Sequence, residues 1–206
     1  MGLLYIDLTH VIENDMPCHP YDDGLKLLRN KFLSKDKFND SILETGMHVG
    51  THVDAPSHLT NSNKLISDYP VEKFAGRGKL LDVRGEKKIT LKKKYIDTVN
   101  SDDIVLLHTG FDKEFRKEEY FLEHPVLTDE LIDFFVETKV KLIGVDLPSP
   151  DIAPFNAHKK LLQNDILIIE NLTNLSKLVE VADFEIIAFP LKIQAEGSPV
   201  RVVAKV

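Results

Sequence analysis

The chain reads as a single mixed α/β domain, rich in strands, and three observations say so. Its 206 residues, 43% hydrophobic and 29% charged, are enough for one sizeable core at ordinary globular composition. Short aliphatic and β-branched runs at 104–107, 140–145 and 166–169 have the length and character of buried strands. Between them, Leu131, Ile132, Phe135 and Val136 recur at the spacing of one helix face. No internal repeat, low-complexity tract or linker interrupts the chain, so residues 1–206 are expected to form one domain.

Charge and cysteine usage narrow the partners. A net charge of -7, with a single short basic run at Lys92, Lys93 and Lys94, gives no stripe for nucleic acid, and that run reads as a solvated helix face. The one cysteine, Cys18, excludes an internal disulfide framework and fits a reducing, cytoplasmic interior. Ile6 stands where an acylation motif needs Ser or Thr, and Asp7 cuts the first apolar run short. No segment is long and apolar enough to span a bilayer, so no membrane partner is expected.

In chain order, residues 3–8 are predicted to form a first strand closed by Thr9 and His10, the latter a structural histidine. The stretch 14–24 is dense in turn formers. Strands are expected at 25–33 and 41–47, the second running straight into 48–58, His-Val-Gly-Thr-His-Val-Asp-Ala-Pro-Ser-His.

That stretch holds three of the chain's eight histidines, His48, His52 and His58, together with Asp54. Imidazole nitrogen and carboxylate oxygen are ligands that zinc or manganese accepts. His48, Gly50, His52 and Asp54 all lie at even offsets, so an extended backbone points them one way, while Val49, Thr51 and Val53 supply the other face. A helix serves less well, because Asp54 would rotate away and Pro56 disfavours helix before it. Gly50 leaves room for an ion or a second backbone. The competing reading, a histidine-rich surface loop, does not account for the alternation, the glycine and the aspartate together.

The polar loop 59–74 could cover such a site. A strand is expected at 78–84, a short helix at 90–99 with Thr90 as its cap, and a buried strand at 104–107 leading to His108, which reads as structural. Residues 111–121 look like an exposed, partly helical connection. Thr128 should cap a helix ending near Lys139, followed by a strand at 140–145 and the loop 146–151, whose Asp146 and Asp151 read as loop-fixing groups. Asn156 should cap a helix to Gln163 that carries His158 in its first turn. The strand 166–170 ends in Glu170, a carboxylate that must reach water or find a cationic partner. Three last strands are predicted at 185–190, 191–195 and 200–206, around a turn at Gly197, Ser198 and Pro199.

The 48–58 string resembles the H-x-G-T-H-x-D-x-P-x-H signature of the cyclase family, which contains bacterial kynurenine formamidases and isatin hydrolases. The resemblance covers most of the chain. It implies a fold similar to the swivelling β/β/α domain, usually as a homodimer or homotetramer. It also implies that His48, His52 and Asp54 hold one divalent ion and that His158 joins Asp54 and Glu170 on a second, with Zn²⁺ or Mn²⁺ as the metal. The spacing of twelve between His158 and Glu170 is shared with the family. His58 is then the proton-transfer residue, with a third metal ligand as its alternative. The implied chemistry is hydrolysis of a small amide, foremost an N-formyl aryl amide such as N-formylkynurenine. A cyclic amide, a lactone or a non-catalytic metal-binding module are the alternatives. A structural zinc site is disfavoured, since such sites prefer thiolates and the only cysteine lies well upstream. Where the family carries an aromatic pocket residue and a glycine, this chain has His19 and Tyr21, so His19 touches substrate or only caps a turn.

Overall fold

The apolar runs pair into one large sheet flanked by short helices, as described for residues 4–206 by a computed structural model. In chain order the strands are β1 (Tyr5–Asp7), β2 (Lys26–Lys31), β3 (Asp40–Glu44), β4 (His52–Asp54), β5 (Ala75–Asp82), β6 (Lys88–Ile89), β7 (Ile104–His108), β8 (Val126–Leu127), β9 (Leu142–Val145), β10 (Leu167–Glu170), β11 (Glu185–Ile187), β12 (Gly197–Pro199) and β13 (Val203–Lys205). The helices are α1 (Leu33–Asp36), α2 (Lys93–Ile96), α3 (Glu119–Leu122), α4 (Asp129–Thr138) and α5 (Asn156–Gln163). Nine strands form the main sheet in the order β1-β13-β11-β5-β7-β9-β10-β4-β12, while β2 and β3, and β6 and β8, pair separately.

Strands β5, β7, β9 and β10 run parallel, and β4 joins β10 antiparallel. Parallel strands are covered on both faces, which is why they read as unbroken apolar runs: Ile104 to Leu107 and Leu167 to Ile169 are fully buried. Leu131, Ile132 and Phe135 of α4 are buried as the helical spacing requires, and α5 packs on α4 and β10. The mixed, strand-rich α/β class read from the sequence is the observed one.

Several boundaries differ from the sequence reading, each for a physical reason. The extended segment expected over 48–54 exists only over its last three residues, β4, and residues 47–51 turn instead. Gly50 adopts φ 70°, and a Cβ there would lie 2.8 Å from Met16 Sδ. Its role is therefore a left-handed turn and the close approach of Met16, not space for an ion. The expected strand at 191–195 is irregular, and the expected turn at Gly197–Pro199 is the edge strand β12, paired with β4. Proline is tolerated at a sheet edge, where its missing N–H forfeits no ladder bond.

Thr90 is not a cap; α2 begins after Lys92, because Lys88 and Ile89 are held in β6 by pairing with β8. Thr128 stands at the head of α4, but its hydroxyl donates to the Ile89 carbonyl. Asn156 is the first residue of α5 rather than its cap, and the Asp151 carboxylate accepts the Ala157 and His158 amides in its place. The second early strand stops at Glu44, short of the metal stretch. The loop 59–74 is tied by Lys64, Tyr69 and Lys73 to Asp165, at the opposite end of β10 from Glu170, and by the Ile66 amide to the Ala195 carbonyl. The first predicted strand is observed as β1; its residue 3 lies outside the described residues.

Candidate metal centre

The carboxyl end of β10 and the neighbouring β4 build the centre. Antiparallel register sets His52 directly opposite Glu170, and two-residue alternation puts Asp54 on the same face as His52, while Val53 goes into the core. The turn at Gly50 folds His48 back so that its Nδ1 lies 2.8 Å from Asp54 Oδ1. From the other side α5 delivers His158, whose Nε2 is 3.0 Å from Glu170 Oε1 and 3.7 Å from Asp54 Oδ2. His52 Nε2 sits between both acids, 3.4 Å from Asp54 Oδ1 and 3.3 Å from Glu170 Oε2. His58 stacks on His48 at 4.0 Å between ring centres.

The five residues proposed as ligands thus converge from two stretches, 48–54 and 158–170, that lie 104 or more residues apart. They do not group quite as the family pattern implies. Ligand atoms of His48, Asp54 and His58 lie within 4.8 Å of one another, and so do those of His52, Asp54 and Glu170. Asp54 belongs to both groups.

The donor set fits a divalent cation. His48 Nε2, His52 Nε2 and both oxygens of Asp54 are buried with no hydrogen-bond partner, the His48 and His52 nitrogens approaching Asp54 without bonding geometry. A buried carboxylate without donors is costly, and oxygen and nitrogen ligands aimed at a common point are what zinc or manganese would satisfy.

Electrostatics agree. Burial pulls His52 down, but Asp54 and Glu170 outweigh it and push it up to about 10. Burial likewise opposes, and Asp54 likewise raises, His48. Asp54 is held well below the usual carboxylate range against its burial, by His48 and His52. Burial and Asp54 would raise Glu170, but His158 and His52 bring it below its ordinary value. His58 behaves differently: burial lowers it, with only partial opposition from Asp54, so it stays neutral near pH 7.

Supporting contacts fix the ring orientations. His52 Nδ1 donates to the Gly50 carbonyl at 2.8 Å, leaving Nε2 to face the centre. His158 Nδ1 lies 2.6 Å from Asp151 Oδ1, which does the same for that ring. A carboxylate or carbonyl behind a ligating imidazole sets its tautomer and raises its basicity. The sequence reading passed over Asn171, buried beside Glu170 at φ 55°, whose Nδ2 donates to the Gly50 carbonyl and whose Oδ1 accepts from Tyr120. Only its place after a presumptive ligand could have flagged it.

Three further residues near the centre carried no sequence signal. Glu196 Oε1 lies 3.5 Å from His48 Nε2. Gly197 faces His48 so closely that a Cβ would lie 2.8 Å from its Cε1. His124, with Nδ1 against the Pro125 carbonyl, is lowered by burial and feels Glu170 and His158. By contrast, the ring neighbours of His19 are Tyr21 and Phe121, neither a member of the cluster. His108 is buried against Asp146, which also accepts the Thr109 and Gly110 amides, and His10 stacks on Phe115.

The family model described as "Putative cyclase" matches residues 6–152, including the whole 48–58 string. The chain belongs to the cyclase family. Its relatives in that family include a kynurenine formamidase of Bacillus cereus, 31% identical over 98% of this chain and 97% of the relative. A kynurenine formamidase of Bacillus mycoides is 30% identical at the same coverage. Isatin hydrolase A from Labrenzia aggregata, solved with benzyl benzoate bound, superposes with a TM-score of 0.87 at 25% identity, covering 99% of this chain and 94% of that one.

Proposed function

We propose that this cyclase-family chain is a metal-dependent amide hydrolase that cleaves the linear carbon–nitrogen bond of an N-formyl aryl amide, N-formylkynurenine first among them, to formate and free amine. The observation that carries it is the buried pair Asp54 and Glu170 set among three imidazoles, with both Asp54 oxygens unpartnered. The kynurenine formamidases matched over nearly their full length support the substrate class.

His48, His52, Asp54, His158 and Glu170 are the residues that would hold two divalent cations, Zn²⁺ first and Mn²⁺ second; Asp54 belongs to both groups of close ligand atoms, and His158 lies beside Asp54 and Glu170. Bound there, the cations supply Lewis acidity that acidifies water and polarises the substrate carbonyl. The remaining work is done by side chains. Asp151 and the Gly50 carbonyl keep the distal nitrogens of His158 and His52 turned inward. His58, neutral and stacked on His48, takes a proton from the attacking water and passes it to the departing nitrogen.

The test is His58→Ala with metal analysis and turnover of N-formylkynurenine side by side. Metal content should be retained while turnover falls roughly 10²- to 10⁴-fold, the usual worth of a positioned acid–base group. Undiminished turnover would sink the proton role, and loss of metal would make His58 a ligand, as its grouping with His48 and Asp54 allows.

A second reading, hydrolysis of a cyclic amide of the isatin type or of a lactone, is favoured by the superposition on isatin hydrolase A. The chemistry at the centre is the same, and a screen of formyl-anilides, cyclic amides and lactones separates the two. A metal-loaded protein inert to all three would leave a non-catalytic module. The natural setting we propose is a cytoplasmic homodimer or homotetramer acting on a small molecule. No helix among the described residues is long and apolar enough to cross a membrane.

A further inference from the structure

The ladder that sets His52 opposite Glu170 ends at that pair, and side chains centred on Asn171 take over beyond it. Strands β4 and β10 share Ile168 with Asp54, Ile169 with Val53 and Glu170 with His52. Past the last pair, residues 47–51 turn away and Asn171 goes left-handed at φ 55°. His48 lies on the turning segment, so the ladder does not fix it.

Asn171 is buried, and each of its polar atoms is engaged. Its amide donates to the Leu147 carbonyl at 2.9 Å, and its carbonyl accepts from Thr51 Oγ1 at 2.6 Å. Its Nδ2 donates to the Gly50 carbonyl at 3.0 Å, and its Oδ1 accepts from the Tyr120 hydroxyl at 3.0 Å. The Gly50 carbonyl is the same oxygen that takes the His52 Nδ1 bond. Gly50 stands midway between His48 and His52, two residues from each. One buried side chain thus ties the residue after Glu170 to the middle of the turn that carries two more ligands.

The backbone alone does not call for this side chain, because glycine takes a left-handed conformation at no steric cost. Nor is the amide free to face either way. The Gly50 carbonyl can only accept, so Nδ2 must face it, which leaves Oδ1 for the Tyr120 hydroxyl. Tyr120 is fully buried among the rings of Phe111, Phe115 and Phe121. Burial holds its phenol well above the ordinary value, so the proton it donates stays in place.

We propose that Asn171 is a positioning residue of the metal centre: it locks the Gly50 turn, and with it His48 and His52, against the end of β10 that carries Glu170, while Tyr120 sets the direction of its amide. The inference rests on the two-cation reading above. A residue that is not itself a ligand then controls both how tightly the cations are held and the geometry in which they are held.

The experiment measures Zn²⁺ affinity of the full chain by competition against a chelator, for the unaltered chain, Asn171→Gly, Tyr120→Phe and the double variant. The visible absorption of bound Co²⁺ is recorded at saturation on each. Asn171→Gly keeps the left-handed backbone and removes only the amide, so affinity should fall roughly 10- to 100-fold, the usual worth of a group behind a ligand. Its absorption per bound Co²⁺ should change as well, since that signal follows coordination geometry. Tyr120→Phe should cost roughly two- to tenfold, the worth of one neutral hydrogen bond, and nothing further in the double variant, because it acts through Asn171.

A residue that merely closes the strand end behaves otherwise. Asn171→Gly would then lower the melting temperature of the metal-free chain while leaving Zn²⁺ affinity and Co²⁺ absorption as they are in the unaltered chain. That result overturns the inference and leaves the two-cation reading standing. Losses that add in the double variant overturn the part given to Tyr120. If Asn171→Gly fails to fold, Tyr120→Phe decides, and unaltered affinity and absorption in that variant overturn the inference. An unaltered chain that takes up no divalent metal overturns the two-cation reading and this inference with it.

Discussion

His48 shows how narrow the tolerances of the centre are at the level of single residues. Its ring is boxed between His58 and the bare Cα of Gly197, so Gly197→Ala forces a methyl to 2.8 Å from His48 Cε1 and 3.2 Å from both Nε2 and the Val53 carbonyl. The expected outcome is a drop in metal affinity of tenfold or more, with the melting temperature of the metal-free chain little changed; a competition titration against a chelator reads it. His10 offers a pH-dependent prediction. Burial lowers it to about 4 in the folded chain, against 6.5 when free, so between those values the unfolded chain binds the extra proton. Its contribution to stability is complete above pH 6.5 and is lost as pH falls toward 4. Denaturant midpoints measured at pH 7 and pH 4.5 should therefore fall less in His10→Phe, which keeps the stack on Phe115, than in the unaltered chain.

Among the elements, α5 has the clearest double duty. Asp151 closes the amino end of the helix by accepting the Ala157 and His158 amides and, with the other oxygen, orients the His158 ring. Asp151→Asn keeps an acceptor for the helix but loses the charge behind the imidazole. Metal affinity should fall roughly 10- to 100-fold, as removal of such supporting groups does, while helix content measured by circular dichroism stays the same. An unchanged affinity would show that α5 alone positions His158. β4 and β10 make the complementary point: their register, not their sequence, sets His52 opposite Glu170.

For the whole molecule, the centre joins helix α5 to the strand pair β4 and β10, which the sheet ladder already holds together. Without a cation, buried Asp54 keeps both oxygens unpartnered among imidazoles whose hold on a proton its own charge strengthens. Chelation should therefore lower the melting temperature, and stoichiometric Zn²⁺ should restore it, by the linkage that any ligand of the native state exerts. A melting temperature indifferent to chelator would argue against the centre. The sequence alone determined the α/β class, because buried parallel strands and an amphipathic helix leave apolar patterns that need no knowledge of neighbours. It also singled out His48, His52, Asp54 and His58, since ligands clustered in eleven residues are visible in one dimension. Glu170 stood out as a carboxylate ending an apolar strand and His158 as a histidine in a helix's first turn, but only the resemblance singled both out as ligands; Asn171, Glu196 and Gly197 were not singled out as part of the site at all. The turn at Gly50, the edge strand at Gly197–Pro199 and the union of the two ligand groups were decided by tertiary structure. Strand register and helix docking bring together residues more than a hundred positions apart, and no local pattern encodes that distance.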